Sequence, residues 1–137
     1  MDKMKEMIAM AIENLKNSYA PYSHFNVSAV VLMSSGKIYS GVNVENASYS
    51  VGSCAERNAL YHAVSEGERA LEMLCLVGGK DGMIDDYCMP CGMCRQAMRE
   101  FGNPDTIKIV SAKSIDDYKE FTLSELLPQS FGPDDLV

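Results

Sequence analysis

Apolar residues in the first twenty positions recur with the period of a helix. They come every three or four residues, and mostly polar side chains fill the positions between them. This spacing predicts an amphipathic α-helix with one face buried and the other in water. The segment lacks the charged stretch followed by a continuous apolar stretch that marks a secretory signal peptide. The apolar positions are Met4, Met7, Ile8, Ala11, Ile12 and Leu15.

Four further segments have patterns typical of β-strands, and a fifth segment is a candidate. Residues 26–33 and 37–44 are rich in strand-forming residues and are joined by a short turn that contains glycine. Residues 71–79 form a nearly continuous apolar run, which is typical of a strand covered on both faces. Residues 106–112 predict another strand, and residues 119–121 are the candidate for the fifth.

Helical patterns separate several of these strands. Residues 54–67 predict a helix with a buried face and with Gly67 where a C-terminal cap belongs. Residues 91–102 predict another helix, and Thr122 followed by Glu125 has the capping-box pattern of a short helix start. Two strand-to-helix steps predict parallel neighbouring strands in a mixed sheet, with helices on both faces. The predicted fold class is therefore α/β.

Composition indicates one folded domain. The sequence has no internal repeat and no linker long enough to separate two units, so we expect residues 1–137 to form a single domain. Hydrophobic residues make up 47% of the chain, as in globular proteins. No apolar run is long enough to cross a bilayer, and we expect a cytoplasmic protein without a membrane partner. Five cysteines, an odd number in a reducing compartment, fit a disulfide framework badly.

The charge of the chain argues against one broad class of partner. Proteins that bind nucleic-acid polymers draw much of their affinity from lysine and arginine side chains that neutralise phosphates. This chain has a formal net charge of −7 and no basic stripe. We therefore expect no nucleic-acid polymer as a partner.

Three of the five cysteines lie within residues 88–94, and two of them begin a predicted helix. Cys91 and Cys94 are three residues apart, so their side chains share one helix face, and Pro90 suits a helix entry. Free N–H groups and the positive end of the helix dipole stabilise thiolates, which are the form that binds metals. Cys54 begins another predicted helix, and two helices that follow strands can begin side by side at one edge of a sheet.

Cys54, Cys91 and Cys94 together predict a particular kind of metal site. Three protein ligands with one open position are typical of catalytic zinc, whereas structural zinc has four. Glu56 lies two residues after Cys54, where a carboxylate could take a proton from water at the metal and hand it on. A purely electrostatic role for Glu56 at a helix start would explain neither the cysteines nor their spacing. The segments "CAE" and "PCGMC" stand where zinc deaminases have H-x-E and P-C-x-x-C, with a known three-cysteine variant.

Nearly the whole chain resembles the cytidine deaminase family, specifically its small class that assembles as a homotetramer. The resemblance covers "CAERNAL", "PCGMCRQAMREFG", "YAPYSHFNVSA", "GVNVENASYS", "AVSEG" and "ELLPQSFGPDDL". It implies a three-layer αβα sandwich around a five-stranded mixed sheet, with one Zn²⁺ in each subunit. It also implies hydrolytic deamination of cytidine and 2′-deoxycytidine to uridine and 2′-deoxyuridine, with release of ammonia. One departure is Ser28, where the family has glycine, and this changes packing on a strand.

The resemblance assigns roles to individual residues. Glu56 is implied to carry the catalytic proton, and Arg57, which by position alone is equally a solvated helix residue, is implied to hydrogen-bond the metal-binding sulfurs. Asn43 and Glu45 face one way on a predicted strand, and the pattern alone fits a solvent-facing edge. In the family, the matching residues bind the ribose hydroxyls. A carboxylate there would repel a 5′-phosphate, so we expect a nucleoside substrate. The implied substrate-binding residues are Phe25, Asn43, Glu45, Ala47, Tyr49, Ala55 and Phe131.

Some of these residues are implied to act across a subunit boundary. Phe131, with Ala47 and Tyr49, would reach a pyrimidine held by a neighbouring subunit, so that the active sites are composite and the homotetramer is required. Within the subunit, Phe25 is implied to pack against the base, and backbone groups near Ala55 are implied to read the base edge.

Other interpretations stay open on the sequence. Cys88 precedes Cys91 by three residues and could be the fourth ligand of a closed, structural Cys₄ zinc site without catalysis. A thiol redox protein would also use "PCGMC", but it would leave Cys54 and Glu56 unexplained. A related enzyme could deaminate another aminopyrimidine nucleoside, such as blasticidin S. The family resemblance favours the ligand set without Cys88, which then lies in the loop before the helix.

Overall fold

The structure, a computed structural model, describes residues 2–137. Within this range the chain forms four α-helices and five β-strands, and the helix and strand types agree with the sequence patterns. No helix in the described range is both long and apolar enough to cross a membrane. In chain order the elements are α1 (Lys3–Asn14), β1 (Phe25–Met33), β2 (Ile38–Val42), α2 (Ala55–Ser65), β3 (Leu71–Lys80), α3 (Gly92–Arg99), β4 (Lys108–Ser114), β5 (Asp117–Thr122) and α4 (Leu123–Leu126).

The strands form one mixed sheet in the order β2-β1-β3-β4-β5. β3 and β4 are parallel, and the other three neighbouring pairs are antiparallel. The prediction of parallel neighbours was therefore right for the β3-α3-β4 step and wrong for β2-α2-β3. In the second case β1 lies between the two strands, because it pairs with β2 on one side and with β3 along its whole length on the other.

Helices cover both faces of the sheet, which confirms the three-layer αβα arrangement. Alternate residues of β1 point to opposite faces, as the pleat of a strand requires. Val27, Ala29 and Val31 belong to the core that includes α2, α3 and α4. Val30 and Leu32 belong to a second core, which α1 covers from the other side.

α2 packs directly against β2. Gly41 of β2 has no side chain, and a Cβ there would come within 2.9 Å of Ala59 Cα on α2. Glycine at this position therefore allows the helix to lie directly on the edge strand. At its other end α2 finishes with Ser65, Glu66 is its C-cap residue, and Gly67 follows with φ +96°, as predicted for the C-terminal cap.

Element ends differ from the sequence patterns by a few residues. The predicted strand over 37–44 ends at Val42, and the following residues continue as an extended segment in which Val44 bridges to Tyr19 and Ser53. The fifth strand is longer than its candidate segment and covers Asp117–Thr122. The predicted capping box of Thr122 and Glu125 is present at the start of α4.

Candidate active site and metal centre

Cys54 and Cys91 occupy equivalent positions at the starts of α2 and α3. Both are N-cap residues with extended backbones, at φ −75°, ψ 154° for Cys54 and φ −69°, ψ 168° for Cys91. Neither side chain caps its own helix, so both sulfurs are free to turn towards a ligand. Cys94 is buried in the first turn of α3. Two helix starts therefore contribute three thiols to one place.

The three sulfurs are spaced as zinc ligands. Cys54 Sγ lies 3.7 Å from Cys91 Sγ, and Cys91 Sγ lies 3.5 Å from Cys94 Sγ. All three sulfurs are within 4.8 Å of one another. Tetrahedral zinc with Zn–S bonds of ~2.3 Å separates its sulfur ligands by ~3.8 Å. The donor set and its spacing therefore fit a zinc ion held by three cysteine sulfurs.

Arg57 lies beside these sulfurs. Its Nη2 donates to Cys54 Sγ at 3.6 Å, across one turn of α2. Interaction with the Cys94 thiol and with the Arg57 guanidinium lowers the pKa of Cys54 to about 5. The pKa of Cys94 is raised, because its thiol interacts with Cys54 and is buried. A thiolate at Cys54 is thus the form that this environment favours, and a thiolate is what a metal requires.

Glu56 is almost completely buried, with 5% of its surface exposed. Burial raises the pKa of Glu56 to about 7, and the negative charge of Cys54 contributes in the same direction. A carboxyl group whose two protonation states have similar free energies near neutral pH is suited to accept and return a proton. The structure therefore places a carboxyl group that could exchange a proton near neutral pH beside the three clustered cysteines.

One cleft of about 270 Å³ brings together most of the predicted site residues. Glu56 and two of the three clustered cysteines line it, together with four of the predicted substrate-binding residues. A second, wider cleft of about 670 Å³ shares Asn43, Glu45 and Cys54 with the first and is also lined by Tyr49 and Arg57. The predicted residues in the first cleft are Phe25, Asn43, Glu45, Cys54, Ala55, Glu56 and Cys91.

Glu45 is held in place by the loop before β1. Its Oε1 accepts hydrogen bonds from the backbone N–H groups of Tyr22 at 3.0 Å and Ser23 at 3.1 Å, and its Oε2 accepts one from the Ser23 hydroxyl. The hydroxyl and backbone donors of Ser23 hold the pKa of Glu45 below its usual range. The carboxylate is therefore ionised at neutral pH and has a fixed orientation at the cleft.

The side chain of Asn43 makes more hydrogen bonds within the protein than a solvent-facing position on a strand would suggest. Its side-chain oxygen accepts from the backbone N–H of Val27 at 3.0 Å and from the hydroxyl of Ser18. Its Nδ2 donates to the carbonyl of Phe25 at 2.8 Å. One amide N–H is left for a ligand, so Asn43 would act towards a sugar hydroxyl as a donor rather than as an acceptor.

Three predicted substrate-binding residues lie outside the smaller cleft. Tyr49 is 82% exposed and packs its ring near that of Tyr22, with ring centroids 6.0 Å apart. Ala47 is exposed in the same loop, and neither cleft includes it. Phe131 is 59% exposed near the end of the chain and also lies outside both clefts.

Comparison with known proteins agrees with this geometry. A family model described as "Cytidine and deoxycytidylate deaminase zinc-binding region" matches residues 1–110. A cytidine deaminase of Halalkalibacterium halodurans is 41% identical over 130 residues, which cover 95% of each chain. The chain belongs to this deaminase family. A probable cytidine deaminase of Dictyostelium discoideum is 37% identical over 99% of this chain and 88% of its own length.

Solved structures of cytidine deaminases have the same fold. The cytidine deaminase of Burkholderia pseudomallei aligns with a TM-score of 0.84 at 36% identity, over 96% of this chain and 100% of that one. The cytidine deaminase of Mycobacterium tuberculosis aligns with a TM-score of 0.80 at 32% identity, over 96% and 99%. The three-layer fold and the α/β class are those of the family.

Cys88 lies at the cleft but outside the group of three sulfurs. Its carbonyl accepts a hydrogen bond from Ser111 Oγ at 2.6 Å, which ties the loop before α3 to β4. Burial, reinforced by the charges of Glu56 and Cys54, raises the pKa of Cys88 to about 12. The group of three sulfurs does not include Cys88, so the geometry does not favour a closed Cys₄ site.

Several residues that support the site had no signal in the sequence. Ser18 and Ser23 hold Asn43 and Glu45, and Ser111 holds the carbonyl of Cys88. Serine is common in loops and strands, and these partners are 22 to 25 residues apart in the chain. Only the folded structure brings such pairs together.

Proposed function

We propose that this protein is a zinc-dependent cytidine deaminase that converts cytidine and 2′-deoxycytidine to uridine and 2′-deoxyuridine with release of ammonia. The observation that carries the proposal is the buried Glu56 beside a three-sulfur cluster, in a cleft that Glu45 and Asn43 also line. Family membership supports it independently.

Cys54, Cys91 and Cys94 would hold the zinc ion, which in this chemistry supplies Lewis-acid activation of the attacking water. Three thiolates leave the site electron-rich, which opposes that activation. Arg57, which donates to Cys54 Sγ, and the two helix N-termini offset part of this negative charge. Arg57 therefore acts on the reaction through the sulfurs rather than by contact with substrate.

Glu56 moves the protons of the reaction. It takes one from the attacking water and delivers it to N3 of the pyrimidine, which makes C4 more electrophilic. Glu56 then takes the second proton of the former water from the hydroxyl group on C4 and gives it to the departing amine, so that ammonia leaves as the C4–N bond breaks and the C4=O bond of the product forms. Phe25, which is 43% exposed at the start of β1, packs against the base, and the backbone near Ala55 reads its edge.

Glu45 and Asn43 bind the sugar. The ionised carboxylate of Glu45 accepts from a ribose hydroxyl, and the free amide N–H of Asn43 donates to one. The negative charge of Glu45 also disfavours a 5′-phosphate that approaches it. Because the matched family includes deoxycytidylate deaminases, this charge is the feature that favours a nucleoside over a nucleotide.

The assembly that we propose is a homotetramer of single-domain subunits in the cytoplasm, with one zinc ion per subunit. Phe131, Ala47 and Tyr49 act in this assembly on a base held by a neighbouring subunit. The exposure of Phe131 and Tyr49 in the single chain supports this role, because exposed apolar patches often mark contact sites, and Ala47 is exposed in the same loop as Tyr49.

The deciding experiment is to mix purified protein of known zinc content with cytidine and follow the ultraviolet absorbance. We expect conversion to uridine with about one zinc per chain. Glu56→Gln should keep zinc and fold but lose about 10²–10⁴-fold or more in kcat. Glu72→Gln, at an exposed position on β3, is the matched control and should keep full activity. Near-native turnover by Glu56→Gln would contradict the proposed role of Glu56.

Substrate and variant panels separate the remaining alternatives. Deoxycytidylate should be a poorer substrate than deoxycytidine, and blasticidin S should not be converted. Faster turnover of deoxycytidylate or blasticidin S than of cytidine and deoxycytidine would show that the enzyme has a different aminopyrimidine substrate. Cys88→Ser should retain zinc, whereas Cys91→Ser should lose most of it. Zinc loss from Cys88→Ser, with an inactive wild-type protein, would instead indicate a closed structural site.

A further inference from the structure

The segment after α4 contains little regular structure, but side chains of α3 hold it firmly. Gln96 Nε2 donates to the carbonyl of Phe131 at 2.9 Å. Arg99 Nε donates to Ser130 Oγ at 2.9 Å, and Arg99 Nη2 donates to Asp134 Oδ1 at 2.7 Å. Two side chains one turn apart on α3 therefore bind three successive points of the tail.

The guanidinium group of Arg99 lies closely against the tail at Gly132. The Arg99 side chain is 11% exposed, although its partner Asp134 is 74% exposed. Gly132 lies against the guanidinium group, and a Cβ there would come within 2.7 Å of Arg99 Nη2. The N–H of Gly132 donates in turn to Asp135 Oδ2 at 2.8 Å, which closes the following turn. The tail backbone thus has one defined path across the helix.

This arrangement fixes the backbone of Phe131 and leaves its side chain exposed. The carbonyl of Phe131 is bound by Gln96, and Ser130 and Gly132 on either side contact Arg99. The Phe131 residue nevertheless remains 59% exposed in the single chain. Ordering a backbone in advance lowers the entropy that a later contact must overcome, so a fixed and exposed ring is preorganised for binding.

We propose that Gln96 and Arg99 are positioning residues that form a tail clamp on residues 130–134. The clamp presents the ring of Phe131 to the nucleoside site of a second copy of the chain. This inference rests on the proposed function, in which Phe131 contacts the base in a neighbouring subunit. It adds that α3 has two functions: its start binds the metal of its own site, and its second half prepares the neighbouring site.

The test compares cytidine kinetics and tail hydrogen exchange in the holoenzyme. Gln96→Ala should raise KM about three- to tenfold, as the loss of one hydrogen bond predicts, and should change kcat by less than about twofold. It should also speed exchange of the tail amides. Asp134→Asn weakens the clamp from its exposed side and should act in the same direction. Glu100→Ala, at the exposed C-cap of α3, is the matched control and should change neither readout.

A double-mutant cycle decides whether Gln96 acts through Phe131. If it does, Gln96→Ala should raise KM in the wild-type background but add nothing in the Phe131→Ala background. Equal increases in both backgrounds, or unchanged tail exchange in Gln96→Ala, would overturn the proposal. An unchanged KM in Phe131→Ala would also overturn it and leave deamination itself intact. A wild-type protein without deaminase activity would contradict the proposed function instead, while the exchange data would still show whether the clamp exists.

Discussion

Two serine residues of the sheet, Ser28 on β1 and Ser111 on β4, are fully buried but differ in their hydrogen bonding. Ser111 Oγ donates to the carbonyl of Cys88 at 2.6 Å, whereas Ser28 Oγ has no partner. A buried polar group without a hydrogen bond loses its interaction with water and gains nothing in return. Replacement of serine by alanine should therefore raise stability at position 28 and lower it at position 111.

We expect Ser28→Ala to raise the free energy of unfolding by about 1 kcal/mol, because it removes an unpaired hydroxyl and keeps the Cβ. Ser111→Ala should lower it by about 1–3 kcal/mol, because the carbonyl of Cys88 is then left without its partner. Denaturant unfolding at one fixed protein concentration measures both. A decrease for Ser28→Ala comparable to that for Ser111→Ala would show that the Ser28 hydroxyl has a partner in solution.

The residues of the candidate site differ in how far the sequence could reveal them. Cys91 and Cys94 are visible because their spacing is local, and Glu56 is visible because it is two residues from Cys54. Such short spacings set geometry without knowledge of the fold. The side-chain oxygen of Asn43 accepts hydrogen bonds from Val27 and Ser18, which are 16 and 25 positions away in the chain, so the pattern of the strand could not reveal these bonds.

At the scale of elements, the contact between α2 and β2 decides where Cys54 lies. β2 is an edge strand, and α2 comes close to it at Gly41, where no Cβ separates the backbones. Because α2 begins with Ala55, directly after Cys54, a shift of the helix on the sheet would move the sulfur of Cys54 away from those of the other two proposed ligands.

We expect Gly41→Ala to lower the free energy of unfolding by about 1–3 kcal/mol through overpacking, and to lower zinc retention as well. Gly92→Ala is the matched control, because a Cβ at Gly92, the first residue of α3, meets nothing within 4 Å. It should leave stability and zinc content near those of the wild-type protein. Thermal unfolding and metal analysis measure both properties. Equal behaviour of the two variants would show that α2 can move away from β2 without loss of the site.

Elements were predictable where burial determines the pattern. β3 is covered on both faces, so its sequence is a nearly continuous apolar run. α1 is buried on one face only, so its sequence has the pattern of an amphipathic helix. β5 is an edge strand with no fully buried residue, so its polar sequence gave only a short candidate segment. The place of β1 between β2 and β3 depends on long-range pairing, which local patterns do not contain.

At the scale of the whole molecule, the predicted binding residues of a single chain do not all line one cleft. The smaller cleft is lined by Glu56 and the proposed sugar-binding residues, whereas Phe131 is held on α3 outside both clefts. A composite active site would bring these residues together, because a symmetric assembly can supply Phe131 from a neighbouring copy. The proposal makes a prediction that depends on the assembly and that no single variant can test.

We expect two defective variants to complement each other. Phe131→Ala keeps Glu56 but should have a raised KM, and Glu56→Gln keeps Phe131 but should have almost no turnover. When the two are mixed and allowed to exchange subunits, some sites should combine an intact Glu56 with an intact Phe131 from the neighbour. Activity at low cytidine concentration should then exceed that of Phe131→Ala alone, and part of the turnover should show the wild-type KM.

The control for this complementation replaces Glu56→Gln with a chain that carries both Glu56→Gln and Phe131→Ala. That mixture undergoes the same subunit exchange but offers no intact Phe131, so its activity should not rise above that of Phe131→Ala. A gain in the first mixture and none in the second would show that the ring acts across the subunit boundary. Equal activities in the two mixtures would contradict the composite site, and with it the presentation of Phe131 to a second copy, because an intact ring on the neighbouring chain would then make no difference to turnover.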